Sequence, residues 1–512
     1  MAQSTSSVWE YKHPTRAAAP LAGNLHYDVC VVGGGIAGLT SAYLLAREGK
    51  RVVVLEAKST VAAGETGHTT AHLAWAIDDR FSHVVSVRGS ETAKAAAQSH
   101  RAAIDLIEDI VGRESIDCDF KRVDGYLFPG ADGPKALREE EQTLRELGLP
   151  FATVDRVPFP ANPGRPALRF PAHGQFHPIK YLAEVASLIR RLGGVIHTDT
   201  MVSRVRGGNP CEVETKRGNT VTCGAVVVAA NTPFEGGTFL HTKVAAYQTY
   251  AFAAELPAGT LPYALYWDTE DPYHYVRLQP EDGRADLLIV GGEDHKTGQA
   301  DDQDERWGRL EAWARERFPM MGAVRHRWSG QVFETPDGLG LIGLAPWNSD
   351  NVYVITGDSG MGMTHGTLGA RLVTNLIQGR SDPLAAVYSP SRWMPGALRT
   401  LLVENLNLAA QYTDWLTSSD VSSPDQIPPG HGAVIRSGLG KLAVYKDDQS
   451  HLHVLSAVCP HMGCIVHWNP GETTWDCPCH GSRYSATGEV IHGPATTDLK
   501  PAELPHEKAA AR

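Results

Sequence analysis

Four of the chain's eight cysteines, Cys459, Cys464, Cys477 and Cys479, fall within 21 residues, and two histidines, His461 and His480, are interleaved with them. No other stretch restricts the fold as tightly, because a tight run of soft donors is the usual signature of a metal site. The pattern is Cys459-x-His461, fifteen residues, then Cys477-x-x-His480. Two thiolates and two imidazoles suit tetrahedral zinc. One Cys and one His from each of two turns also suits a [2Fe–2S] centre, with thiolates on one iron and imidazoles on the other. The remaining cysteines, Cys30, Cys118, Cys211 and Cys223, are scattered and read as small buried apolar residues.

The rest of the chain is organised differently. At roughly 100–200 residues per domain, 512 residues imply two to four domains. Residues 1–26 read as an irregular lead-in. DVCVV (28–32) is a buried strand, Gly33 to Gly38 a turn, residues 39–48 a helix with Gly49 past its end, and RVVVLEA (51–57) a second buried strand. This βαβ unit opens a doubly wound α/β sheet. Helices are expected over 91–112, 135–147, 178–192 and 364–379, and strands over 194–198, 225–231 and 351–357. Residues 243–295 alternate apolar and polar with many aromatics, an antiparallel texture. The doubly wound part therefore carries an inserted antiparallel-sheet substrate domain, mainly 240–335. Residues 381–425 read as a connector, with a helical stretch at 397–417. SSDVSSPDQIPPGHG (418–432) marks a boundary before an all-β domain over about 426–505, and 506–512 is a tail.

Gly33-x-Gly35-x-x-Gly38 follows a strand and opens a helix, and Glu56 ends the next strand 18 positions on. Gly33 permits the tight turn, Gly35 lets backbone approach a pyrophosphate, and Gly38 lets helix and strand pack closely. The helix N-terminus supplies free N–H groups and partial positive charge. Glu56 suits ribose hydroxyls. This is a dinucleotide site, and no second loop of its quality occurs, so a separate nicotinamide site is not expected.

With GETGHTTAHL from Gly64, residues 27–380 resemble the D-amino-acid-oxidase-like family of FAD-dependent oxidoreductases. The resemblance implies that Gly33, Gly35, Ile36, Ala37, Gly38, Glu56 and Ala57 hold the dinucleotide end. Thr66, Gly67, His68, Thr69 and Thr70 would lie along the flavin ring. Val202, in TMVSRV, would sit near adenine, and Ala230 and Asn231, in AVVVAANTP, near the ribityl phosphate. Gly357, Gly360, Met361, Gly362, Met363 and Thr364 of the closing TGDSGMGMTHG would meet flavin through backbone. His68 is left with two roles, a covalent link to the flavin or a hydrogen bond beside it. His68 and His72 have metal-like spacing, but no third ligand accompanies them.

Residues 426–505 resemble Rieske [2Fe–2S] proteins, which assigns Cys459, His461, Cys477 and His480 as the metal ligands. The same resemblance implies a disulfide between Cys464 and Cys479, and hydroxyls of Ser482 and Tyr484 that bond to cluster and ligand sulfurs. Histidine ligands place the potential at roughly −150 to +300 mV. His467 and His492 read as ordinary polar residues. A disulfide is unusual in a reducing cytosol, although one shielded at a cluster could survive.

A flavin takes two electrons and a [2Fe–2S] centre passes one. The joined resemblances therefore imply a dehydrogenase that oxidises an amine or amino acid and hands electrons from FAD through the cluster to an external one-electron acceptor: an iron–sulfur protein, a cytochrome or a quinone. The alternative is a redox relay or sensor with no metabolic substrate. Many amino-acid-oxidising relatives place an Arg before the TPDG-type motif to clamp a carboxylate. Here SGQVFETPDG (329–338) has none, and Glu334 could face a cationic amine. Tyr247, Tyr250, Trp267, Tyr273, His274 and Tyr275 are expected on strands over the flavin, about half of them as core. Tyr275 and Arg277 are the catalytic candidates. A Rieske oxygenase would need two His and a carboxylate on a mononuclear iron, and no two histidines here have four residues between them, the spacing of that family's signature.

Lys and Arg total 47 against 58 Asp and Glu, a formal charge of −11. That balance argues against nucleic acid and anionic membrane surfaces, which need a basic face. No apolar run is long enough to span a bilayer. The polar start MAQSTSSVWEYKHPTR has no apolar segment or twin Arg of an export signal, which predicts a cytoplasmic protein.

Overall fold

The computed structural model describes residues 5–9, 17–130, 133–161, 166–232, 234, 240–281, 283–346, 350–438 and 440–504. Strand β1 (Leu25–Val32), helix α1 (Ile36–Arg47) and strand β2 (Val52–Leu55) form the expected βαβ unit. β1 pairs in parallel with β2 on one side and with Thr220–Val228 on the other. The sheet runs Leu341–Leu344, Val352–Thr356, Thr220–Val228, β1, β2, Val195–His197, and two short antiparallel strands extend it. Its central strands are buried on both faces, the condition that makes near-continuous Val and Leu runs readable as parallel strands. Helix Gly362–Ile377 packs on α1.

The second sheet has nine strands. Five, from Ala245–Pro257 to Val324–Glu334, come from the expected insertion. The others are Lys121–Phe128, Ala167–Gln175, His72–Leu73 and Ala152–Val154, from before residue 180. Lys121–Phe128 pairs in parallel with Ala264–Asp268 and so splices the two segments into one sheet. The second sheet is thus not a single contiguous insertion. The lead-in is not merely irregular either: Trp9 is fully buried, and its Nε1–H donates to Thr69 O at 2.6 Å.

After helix Leu398–Gln411 the chain enters two small antiparallel sheets, one of three strands over 431–456 and one of four over 467–492. The connector is tied to the first of them, where Val434 N–H donates to the Asp420 carboxylate at 2.8 Å. No helix among the described residues is long and apolar enough to cross a membrane.

Candidate functional site

One continuous cavity runs from the glycine loop, between the two sheets, to the aromatic strands. Its loop end is defined by missing side chains. Gly33 has φ +107°, and a Cβ there or at Gly38 would collide with backbone carbonyls of Ala229 and Gly33 respectively. Glu56 accepts from Gly34 N–H at 2.6 Å and Lys58 N–H at 2.7 Å, while burial raises its carboxyl pKa. Thr66 Oγ1 accepts from Ile36 N–H at 3.1 Å and so ties the flavin-ring segment to the loop. Ile36, Ala37, Ala57, His68, Thr69, Thr70, Val202, Ala230, Asn231 and the segment Gly360–Met363 all line the cavity. Gly67, Gly357 and Thr364 do not. Gly357 backs onto Thr335 and Val244, and Thr364 Oγ1 is bonded to His100. Thr232 and His365 line the cavity and are buried; the His365 ring has a backbone hydrogen bond with Thr356, but its Nε2 and Thr232 Oγ1 have no partner among the described residues. Bare glycines, a shaped cavity and waiting polar atoms fit an FAD.

The cysteine loops divide their four sulfurs into two kinds. Cys464 and Cys479 form a disulfide with Cα atoms 6.4 Å apart. That leaves Cys459 and Cys477 as buried free thiols. The His461 and His480 rings stand 5.0 Å apart, and both Nδ1 atoms are buried without a partner. Two sulfurs and two unpartnered imidazole nitrogens fit a Rieske cluster. The neighbouring Cys477 thiol holds Cys459 down to about 6 against the effect of burial. Tyr484 Oη and Cys459 Sγ are hydrogen-bonded at 3.1 Å, and the fully buried Ser482 Oγ accepts from Ala495 N–H at 3.0 Å.

The two centres share a wall. Ile491, His492, Gly493, Ala495 and Thr496 of the cysteine domain line the dinucleotide cavity. Lys58 Nζ donates to Ile491 O at 2.7 Å, and His492 Nε2 lies 3.2 Å from Glu65 Oε1. Burial, with Lys58 and Arg483 nearby, keeps His492 neutral. His492 is therefore an interface residue and not the ordinary polar residue expected, whereas His467 pairs with Asp414 at 2.9 Å. Gln331 lines the cavity, and its Nε2 donates to Gly481 O at 2.8 Å, one residue beyond His480. His241, from the flavin side, packs edge-on against both cluster imidazoles, 4.6 Å from His461 and 5.3 Å from His480. None of these contacts has a sequence signal, because each joins segments far apart in the chain.

At its other end the cavity is walled by Trp267, Tyr273 and Tyr275. Tyr250 and His274 are turned away: Tyr250 packs on Trp307, and His274 stacks on Trp313 and bonds Asp268. Tyr247 does not line the cavity either. Tyr275 Oη is hydrogen-bonded to Thr249 Oγ1 at 2.7 Å. Arg277 is placed elsewhere. It is fully buried, donates to Ala71 O and Phe176 O, bonds Gln279, and stacks over Trp9. Its donors are spent on protein carbonyls, so it cannot clamp a substrate carboxylate. Sequence reasoning also missed most of an acidic lining: Asp78, Asp294 and Asp358 face the cavity together with Glu334. Burial raises all four carboxyls, Asp78 to about 8 and Asp294 and Asp358 to about 7; the Asp79 charge adds to this at Asp78 and Glu334 and that of Glu65 at Asp358, while Thr249 opposes it at Asp294.

Comparison with known proteins agrees with this division. Residues 28–376 match the model of the FAD dependent oxidoreductase (DAO) family, and residues 417–503 match that of the Rieske [2Fe-2S] domain. The chain is 31% identical over 482 residues to Bacillus subtilis (strain 168) YhfW, whose name describes a Rieske 2Fe-2S iron-sulfur protein; 93% of each chain is covered. It is 27% identical over 404 residues to the gamma-glutamylputrescine oxidoreductase of Escherichia coli (strain K12), covering 75% of this chain and 91% of that one. Glycine oxidase from Geobacillus kaustophilus shares the fold, with a TM-score of 0.61 at 20% identity, over 72% of this chain and all of that one.

Proposed function

This chain belongs to the FAD-dependent oxidoreductase (DAO) family, and from that premise we propose that it is an amine dehydrogenase whose electrons leave through its own Rieske cluster. An amine C–N bond is oxidised to an imine with loss of two electrons and two protons. Water then hydrolyses the imine to a carbonyl compound and an amine or ammonia. The two electrons pass singly to two equivalents of an external one-electron acceptor of the iron–sulfur, cytochrome or quinone class. When bound, FAD supplies the two-electron acceptor and the cluster a one-electron outlet.

The shared wall carries this reading. Cysteine-domain residues 491–496 close the cavity, and Gln331 joins its lining to the backbone beside His480. The residues divide the remaining work. The glycine loop and Glu56 hold the dinucleotide. Thr249 fixes the Tyr275 hydroxyl over the substrate end. His72 is held neutral by burial, lowered to about 3, and adds no fixed charge there. The absence of an arginine from the cavity lining among the described residues favours an amine over an α-amino acid, and the name of the Escherichia coli relative points the same way.

The test is an anaerobic titration of the holoenzyme with primary and N-methylated amines, amino acids and imino acids. Flavin absorbance and the Rieske EPR signal are followed together. The reading expects one class to bleach the flavin and the EPR signal to rise in step. Bleaching without the EPR signal would remove the internal route. No bleaching by any compound, with both centres reducible by dithionite, would favour a relay or sensor.

A further inference from the structure

We propose that the substrate end of the cavity is built for a linear amine carrying two or more positive charges, a diamine or polyamine. This rests on the amine-oxidation reading and narrows its substrate class. Asp78, Asp294, Glu334 and Asp358 line the cavity, Asp78 accepting from the Tyr273 hydroxyl at 2.8 Å, and no arginine lines it among the described residues. The cavity's Lys58 is at the opposite end, with its ammonium on Ile491 O.

The carboxylates are not merely a solvated acidic face. Thr249 bonds the Asp294 carboxyl and backbone groups of Phe333 and Gly360 bond that of Asp358, but one oxygen of each, Oδ1, is sealed from solvent and has no hydrogen-bond partner among the described residues. A buried acceptor without a donor is costly, and an ammonium brings three donors and a compensating charge. A metal ion fits poorly. Among the described residues, the groups tight enough to hold one lie elsewhere, at Asp268, Glu270 and His274 and at the cysteine loops.

The acidic groups come instead from separate elements. Thr249 pairs with Gly330, and Asp294 lies on the strand flanking Thr249 on its other side. Glu334 is four residues beyond Gly330 along the same strand, and Gly330, Val332 and Glu334 all face the cavity. At about 3.3 Å per residue, Gly330 and Glu334 are roughly 13 Å apart along the strand, while the Glu334, Asp78 and Asp294 carboxyls are near enough to feel one another's charge. A single ammonium compensates one part of such a lining and leaves the rest repelling. Two ammonium groups on a flexible chain compensate more than one of these carboxyls at once. Tyr273, Tyr275 and Trp267 between them offer ring faces, which attract cations.

The test uses anaerobic holoenzyme and four probes: 1,4-diaminobutane, spermidine, n-butylamine and 4-aminobutanoate. The readout is the concentration giving half-maximal flavin bleaching. The diamine or spermidine is expected to act at a concentration at least about tenfold below butylamine, the equivalent of about 1.4 kcal/mol, with 4-aminobutanoate weakest. Glu334→Gln, and separately Asp294→Asn, should narrow the diamine-to-butylamine ratio toward about one, since a removed charge reads as that same free-energy difference. The wild-type ratio alone decides if a variant does not fold. Equal action of butylamine and diamine, or a preference for 4-aminobutanoate, overturns the inference and leaves amine oxidation standing. Failure of every amine to bleach a dithionite-reducible flavin removes the underlying reading, and the inference with it.

Discussion

In the cysteine loops the donors are side chains packed into residues 459–480, whereas the flavin cradle is largely backbone and bare glycine gathered from residue 33 to residue 366. The first site is a set of atoms that must be present. The second is in good part a set of atoms that must be absent. A donor set can lose a member and fail alone, while a cradle fails when anything is added. The wall at 491–496 makes the two sites neighbours without making them one.

The sharpest way to break that comparison is to damage each site in its own manner. Cys459→Ser should abolish the Rieske EPR signal completely while flavin absorbance persists. Gly38→Ala pushes a Cβ into the Gly33 carbonyl. Overpacking of this kind costs on the order of 1–3 kcal/mol, and the protein should purify with its cluster signal and without bound flavin. Loss of both cofactors in either variant would mean that the sites do not assemble independently.

Arg277 separates structure from chemistry. Arg277→Met leaves the Ala71 and Phe176 carbonyls without their donor. A loss of about 3 kcal/mol in thermal or denaturant unfolding is expected, with the KM ratio between amines and their carboxylate-bearing analogues unmoved. A change in that ratio would restore the carboxylate clamp. The disulfide should matter comparably, but only locally. The double variant Cys464→Ala/Cys479→Ala opens a link between residues 15 apart. A loop of that length predicts about 3 kcal/mol, seen as earlier loss of the EPR signal on heating while the flavin signal melts later.

A smaller effect concerns pH. The Asp78 carboxyl, raised to about 8, and those of Asp294 and Asp358, raised to about 7, are neutral below these values and charged above them. Asp79, Glu65, Glu293, Tyr273, His274, Arg306 and Thr249 act on these groups from the surrounding elements. A cationic amine should therefore bind progressively more tightly from pH 6 to pH 9, read as a falling half-saturation concentration. The opposite slope would exclude these carboxylates from binding. The smallest effect is expected at Lys216→Ala. This residue pairs with Asp498 across the domain boundary at 2.7 Å with both side chains 43% exposed, a setting worth under about 1 kcal/mol. Cluster reduction should keep its rate.

The same contrast explains what was legible before the fold was known. Cys459, His461, Cys477 and His480 sit close in sequence, and β1, α1 and β2 declare themselves by apolar runs around glycines. The expected insertion missed Lys121–Phe128 because a short half-alternating strand does not reveal that it will pair with residues 264–268. His241, Gln331 and His492 acquire their roles only from contacts across 150 residues or more. Arg277 misled for a related reason. Its place on an aromatic strand was visible, but the carbonyls that consume its donors, from residues 71 and 176, were not.

The central claim is that each chain's cluster is served by its own flavin. It is tested most directly by photoreducing the flavin anaerobically and timing the appearance of the Rieske EPR or optical signal across a hundredfold dilution of the protein. The account predicts a first-order rate independent of protein concentration. A rate that falls in proportion to dilution would show that electrons pass between molecules, and would contradict it.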